Sequence, residues 1–213
     1  MAIKKIVKIR DDGKISNSNI EFLKLKTKKV TFPLSPFINQ IIQDLIDTYE
    51  TIACAGIAAN QIGYEYQIFI GMKEVKTEEE AEEIEKKEAE LSSALGNPYA
   101  DNYEIYINPQ IDLTNNKSTK IDEEGCLSIP GLMVERKRFD EIKVRYYDAN
   151  GKRNKKRFSG FLSKLFQHEL DHLNGMLMID GQEKIENLYP LEASEEQAKL
   201  YGTLYSQYQK LIK

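Results

Sequence analysis

The segment Ser159-Gly-Phe-Leu-Ser-Lys-Leu-Phe-Gln-His-Glu-Leu-Asp-His-Leu-Asn-Gly175 reads as one amphipathic helix. Ser159 supplies an N-cap, Phe161, Leu162, Leu165, Phe166 and Leu173 recur at helical spacing, and Asn174-Gly175 suits a left-handed terminus. His168 and His172 stand four residues apart, about 40° around the axis, where both imidazoles reach one ion. They are the chain's only histidines, and two placed at random would fall at this spacing about one time in a hundred. The competing explanation is a pair of ordinary solvated or core histidines. Against it, apolar neighbours bury this helix, and two buried imidazoles beside two carboxylates are costly without a cation. Glu169 lies one step round the helix, placed to exchange a proton with an ion-bound water rather than to ligate.

Two histidines leave a catalytic ion short of its usual three protein ligands, so the third donor is a carboxylate or a cysteine. Cys126, within Glu124-Gly-Cys-Leu-Ser128, is the attractive choice because Gly125 permits close backbone approach. By itself that cysteine reads equally well as a small core hydrophobe. A thiolate with two imidazoles suits Fe2+, Zn2+, Ni2+ or Co2+, and ligand type alone does not choose.

Outward from the helix, Glu141-Ile-Lys-Val-Arg-Tyr-Tyr-Asp148 alternates as a strand, and Asn150-Gly151 turns the chain into a return strand up to Phe158. Upstream, Ser35-Pro36 opens a helix to about residue 52, with Phe37, Ile38, Ile41, Ile42, Leu45, Ile46 and Tyr49 at helical spacing. Gln67–Met72 and Glu104–Ile107 read as strands, the second stopped by Asn108-Pro109. Between them, residues 73 to 90 hold nine glutamates and four lysines with almost no large apolar side chain. That composition cannot join a core, so a surface insertion over 73 to 100 is expected, part of it helical. Ser194-Glu-Glu-Gln197 is a capping box ahead of Leu200, Leu204, Tyr208 and Leu211, making 183 to 213 a C-terminal helical segment. Helices and strands follow one another without regular alternation, so the class is α+β, in one domain over residues 1 to 213.

With 30 basic and 34 acidic residues, the chain has an ordinary charged surface and no basic face for DNA. The first ten residues lack the apolar run of a secretory signal or membrane span, so a cytoplasmic protein is expected. In that reducing compartment the two cysteines, Cys54 and Cys126, read as free thiols or ligands rather than a disulfide.

Three motifs in order, Gly56-Ile-Ala-Ala-Asn-Gln61, Glu124-Gly-Cys-Leu-Ser128 and Gln167-His-Glu-Leu-Asp-His172, resemble those of the peptide deformylases. The likeness covers about residues 35 to 180. It implies an α+β fold of antiparallel sheets around a central helix bearing the histidine pair. It also implies removal of the formyl group from N-formylmethionine at the start of nascent polypeptides, with release of formate. The metal ligands would be Cys126, His168 and His172, holding one divalent ion, Fe2+ by the family's habit. Glu169 would carry the proton from the attacking water to the departing amine. The Gln61 side chain and the Leu127 N–H would be the oxyanion donors. Gly56, Ile57, Glu124, Gly125, Phe161 and Leu165 would meet the substrate, and Asp171 would support the helix through Arg136.

Two positions depart from the family pattern. Cys54 stands where the first motif normally begins with glycine, which predicts a narrowed cleft or, under oxidation, a bond to Cys126. Lys164 stands among the apolar residues expected around the methionine side chain, where its stem can pack while its ammonium reaches water. Some family members contact the ribosome through a basic C-terminal helix, but residues 183 to 213 carry five glutamates against four lysines. A zinc metallopeptidase shares the His-Glu-x-x-His pattern, and a deformylase-like binder without turnover is a third reading. Cys126 and the Gln61 motif favour the deformylase.

Overall fold

The computed structural model describes residues 2–11, 14–91, 96–112, 118–180 and 188–189, with Thr203, Ser206, Gln207 and Lys210. In chain order the elements are β1 (Arg10–Asp11), β2 (Lys14–Ile15), α1 (Asn17–Leu23), α2 (Pro36–Thr51), β3 (Gly56–Ala58), β4 (Ile68–Met72) and α3 (Glu78–Leu91). They continue with β5 (Tyr103–Asp112), β6 (Thr119–Cys126), β7 (Ile129–Phe139), β8 (Glu141–Tyr147), β9 (Arg153–Ser159), α4 (Gly160–Leu173) and β10 (Leu188–Tyr189). The sheets are antiparallel, with orders β3-β4-β5-β8-β9, β10-β7-β6 and β1-β2.

β4 organises the packing because both of its faces are covered. Ile68 and Ile70 point into a cluster with Ile41, Leu45 and Tyr49 of α2, whereas Phe69 points into one with Tyr106 and Phe166. Hence its sequence runs apolar without alternation. Phe166 meets Phe69 edge-on at 5.2 Å, and Phe69 stacks on Tyr106 at 4.4 Å, which fixes α4 against the sheet. Burying each such ring contributes about 2 to 3 kcal/mol. A third cluster, with Ile9, Leu23, Ile129, Leu132 and Val134, seats the smaller sheet.

The expected helices and strands are present, with local differences. β5 runs through Asn108-Pro109 instead of stopping there: the register shifts between Ile107 and Gln110, and Asn108 takes φ 49°. A bulge tolerates the proline's missing donor, and the Asn108 side chain exchanges 2.8 Å bonds with both backbone groups of Val30. Ser159 occupies the N-cap of α4 but makes no capping bond with its hydroxyl. At the other end Gly175 takes φ +74°, and a Cβ there would strike the Lys24 carbonyl, so glycine is required twice over.

The acidic stretch forms the exposed helix α3. The outer limit of the expected insertion is corrected, because Asn97 is buried and donates to the carbonyls of Tyr49 and Cys54 at 2.8 and 2.9 Å. In the C-terminal segment Leu188–Tyr189 is a strand paired with β7 rather than helix. Thr203, Ser206, Gln207 and Lys210 are helical as expected, while the Ser194 capping box lies outside the described residues. No helix among the described residues is long and apolar enough to cross a membrane.

Candidate active site

On α4, Lys164, His168 and His172 succeed one another at four-residue intervals along one face. Opposite them the β6–β7 connection changes register between Gly125 and Cys126, an irregularity that aims the thiol at the helix. Cys126 Sγ lies 3.1 Å from His172 Nε2. The donor atoms of Cys126, His168 and His172 all fall within 4.8 Å of one another.

Burial opposes ionisation of Cys126, but His172 and His168 outweigh it and bring the thiol down to about 5. Burial likewise opposes charge on His168, yet Cys126 and Glu124 raise its pKa well above the ordinary value. The cluster therefore favours positive charge at its centre. A thiolate and two imidazoles arranged this way are a donor set for a divalent ion.

The tautomer of His168 follows from its neighbour. Glu124 is held to about 2, burial being outweighed by Arg138 and His168, so its carboxylate accepts from His168 Nδ1 at 3.0 Å. In the neutral imidazole, the form that can ligate a metal, this bond keeps the proton on Nδ1 and turns the Nε2 lone pair toward the site. Arg138 fastens this arrangement, donating to Glu124 at 2.9 Å and to Asp171 at 2.7 Å.

The expected pairing of Asp171 with Arg136 is present, but it is the longer of two. Arg136 Nη2 stands 3.4 Å from Asp171, and its Nη1 donates instead to the carbonyls of Leu177 and Met178 at 3.0 and 2.8 Å. Arg138 is the closer partner. Both arginines lie on the same face of β7, and the two-residue period of a strand does not choose between them.

Glu169 is 2% exposed and its Oε2 has no hydrogen-bond partner. Burial, opposed by both histidines, pushes its carboxyl up to about 7. It thus gains and loses a proton near neutrality. Gln61 is oriented by its own carbonyl, which accepts from the Ala58 N–H at 2.8 Å. Its Nε2 then faces the site, 3.3 Å from Ser128 Oγ and 3.6 Å from Cys126 Sγ.

Ser128 and Asn60 were not singled out from sequence. Asn60 donates to the His172 carbonyl at 2.7 Å and ties down the end of α4. The available signal was a polar pair, Asn60-Gln61, in the otherwise apolar run from Gly56 to Ile62.

A cavity of about 680 Å³ opens onto these groups. Gly56, Gly125, Leu127, Phe161 and Leu165 line it, as do Cys54 and Lys164. Of the other expected substrate contacts, one is absent from the lining and one is present but already engaged. Ile57 has its side chain in the core, fully buried, and leaves only backbone on the edge strand β3. Glu124 lines the cavity, but both of its oxygens are engaged by Arg138 and His168. Cys54 and Cys126 are free thiols, and burial raises Cys54 far from thiolate character.

Comparison with known proteins bears on the family and the fold. Residues 3–187 match the family model described as Polypeptide deformylase. A peptide deformylase from Elusimicrobium minutum (strain Pei191) is 35% identical over 182 residues, covering 84% of this chain and 88% of the relative. One from Thermoanaerobacter sp. (strain X514) is 31% identical over 96% of this chain and 98% of its own. The crystal structure of the Thermotoga maritima peptide deformylase superposes with a TM-score of 0.59 at 27% identity, over 84% of this chain and 97% of that one. By motif order, fold and these likenesses, the chain belongs to the polypeptide deformylase family.

Proposed function

We propose that the cavity beside α4 binds the formylated N-terminus of nascent polypeptides and that Cys126, His168 and His172 hold one divalent ion there. Ferrous iron comes first, with Zn2+, Ni2+ and Co2+ as alternatives. As a member of its family the chain is a hydrolase of protein synthesis, removing the formyl group from N-terminal formylmethionine. The observation that carries the assignment of roles is the approach of Cys126, His168 and His172 to within 4.8 Å of one another beside the buried carboxyl of Glu169. When bound, the ion supplies Lewis-acid activation of water and of the formyl carbonyl.

The protein's own groups do the rest. Glu169 takes a proton from the attacking water and delivers it to the peptide nitrogen as formate leaves. Gln61 Nε2, with its amide plane fixed by the Ala58 N–H, donates to the developing oxyanion. The Leu127 N–H is the second donor. β3 is an edge strand, so the backbone of Gly56 and Ile57 offers the substrate a strand to pair with. Phe161 and Leu165, with Gly125 opposite, enclose the first side chain. A substrate emerging from ribosomes supports a cytoplasmic location.

Formate release from formyl-Met-Ala by protein purified anaerobically, with its metal content measured, tests this reading. Glu169→Ala should bind metal as wild type does and lose at least about a thousandfold in kcat. Wild type fully loaded with metal yet releasing no formate would overturn the assignment.

A further inference from the structure

One residue of the cavity wall is unlike its neighbours. Phe161 and Leu165 present apolar surface, but Lys164 between them lines the same cavity as His168 and Glu169. It precedes His168 by one helical turn on the same face, about 6 Å along the axis. A methionine side chain starting beside His168 spans roughly 5 Å, so its end arrives near Lys164.

The ammonium of Lys164 is held in place. It donates to Asp122 Oδ2 at 2.9 Å and to the Glu123 carbonyl at 3.0 Å, and it stands 5.2 Å from the centre of the Phe161 ring. The side chain is 17% exposed. An ammonium carries three donors, and the two protein bonds leave one. A wholly apolar wall would exclude a polar side-chain terminus, whose lost hydration nothing would replace. A fixed N–H at that wall replaces it.

We propose that Lys164 is a specificity-determining residue that lets the site take formylated peptides whose first side chain ends in a hydrogen-bond acceptor. Methionine sulfoxide is the acceptor-bearing side chain nearest in shape to methionine. The proposal rests on the deformylase reading of the same cavity. Lys164 acts on the first side chain of the substrate and takes no part in proton transfer.

The test compares kcat/KM for formyl-Met-Ala, formyl-norleucyl-Ala and the formyl-methionine-sulfoxide analogue, read as formate release. Lys164→Met should lower the sulfoxide-to-norleucine ratio about tenfold, the worth of one hydrogen bond to a charged group. Lys164→Arg, which keeps a cation and its donors, should hold the ratio within about threefold of wild type. Lys164→Leu is a second apolar variant with the same expectation as Lys164→Met, should that one fail to fold. An unchanged ratio in the apolar variants overturns the proposal, while formate from formyl-Met-Ala upholds the deformylase reading. No formate from any of the three substrates overturns that reading and the proposal with it.

Discussion

A methyl group on Gly56 would fall 2.8 Å from Glu169 Oε1 and 2.9 Å from Leu165 Cδ1. The leucine has a rotatable end and can give way. Glu169 is buried but borders the cavity, so its carboxylate would have to turn away from its position. Gly56→Ala is therefore expected to keep the fold, with a melting temperature close to wild type, and to lower kcat about a hundredfold, as misplacing a catalytic group by about 1 Å does. Turnover near the wild-type rate would show that the position of Glu169 is not critical. At this scale legibility depended on distance along the chain. His168, Glu169 and His172 were readable because a helix brings such near neighbours together. Cys126 and Gln61 lie far from them in sequence: the residues alone made Cys126 one candidate ligand, and the role expected of Gln61 came from the resemblance. Arg138 was missed because it shares its strand face with Arg136, so only packing separates them.

The acidic link between β4 and β5 shows what composition can and cannot say about an element. It correctly marks α3 as standing outside the core, but it does not say where the link rejoins the protein. The Lys73 backbone N–H donates to the Asn102 carbonyl at 3.0 Å, so the two ends of the link are already adjacent. On the helix, Lys87 pairs with Asp101 at 2.9 Å, an exposed contact worth at most about 1 kcal/mol. Excising residues 77 to 91 and joining the ends through glycines should leave soluble protein and turnover largely intact. Extending the excision through Asn97 should cost about 2 to 4 kcal/mol, because the buried carbonyls of Tyr49 and Cys54 lose their donor. Chemical denaturation of the two deletions separates these expectations, and equal stability would contradict them. The bulge in β5 was illegible for a related reason. Asn108-Pro109 is a common stop signal, and the strand continues where Asn108 is held by tertiary bonds to Val30 and Gln67.

Across the whole molecule, α2 and α4 cover opposite faces of the larger sheet, and the smaller sheet brings Cys126 to α4. Periodicity announces each helix and most strands, but the docking of one sheet beside another is a long-range event that no local pattern encodes. The same holds for the N-terminal segment, which crosses α2 through Ala2 N–H to Asp47 at 2.7 Å and Lys4 N–H to Thr48 at 3.0 Å. Asp44 anchors this region from within: Tyr64 donates to it at 2.5 Å, Gln40 at 2.9 Å and Lys4 at 3.1 Å. Burial opposes its ionisation, but Tyr64, Gln40 and Lys4 prevail and hold its carboxyl below the ordinary range. The folded protein therefore takes up this proton less readily than the unfolded chain does. The stabilisation is complete above the unfolded value of about 4 and is lost as pH falls through the lower folded value. Asp44→Asn should cost about 1 to 2 kcal/mol at neutral pH and remove the part of the acid sensitivity that this carboxylate causes. Melting temperatures measured for both proteins from neutral pH down to about pH 3 should thus converge as acid is added, since protonated Asp44 and asparagine carry the same charge. A gap that stays constant over that range would place the acid-sensitive tie elsewhere than between α2 and the N-terminal segment.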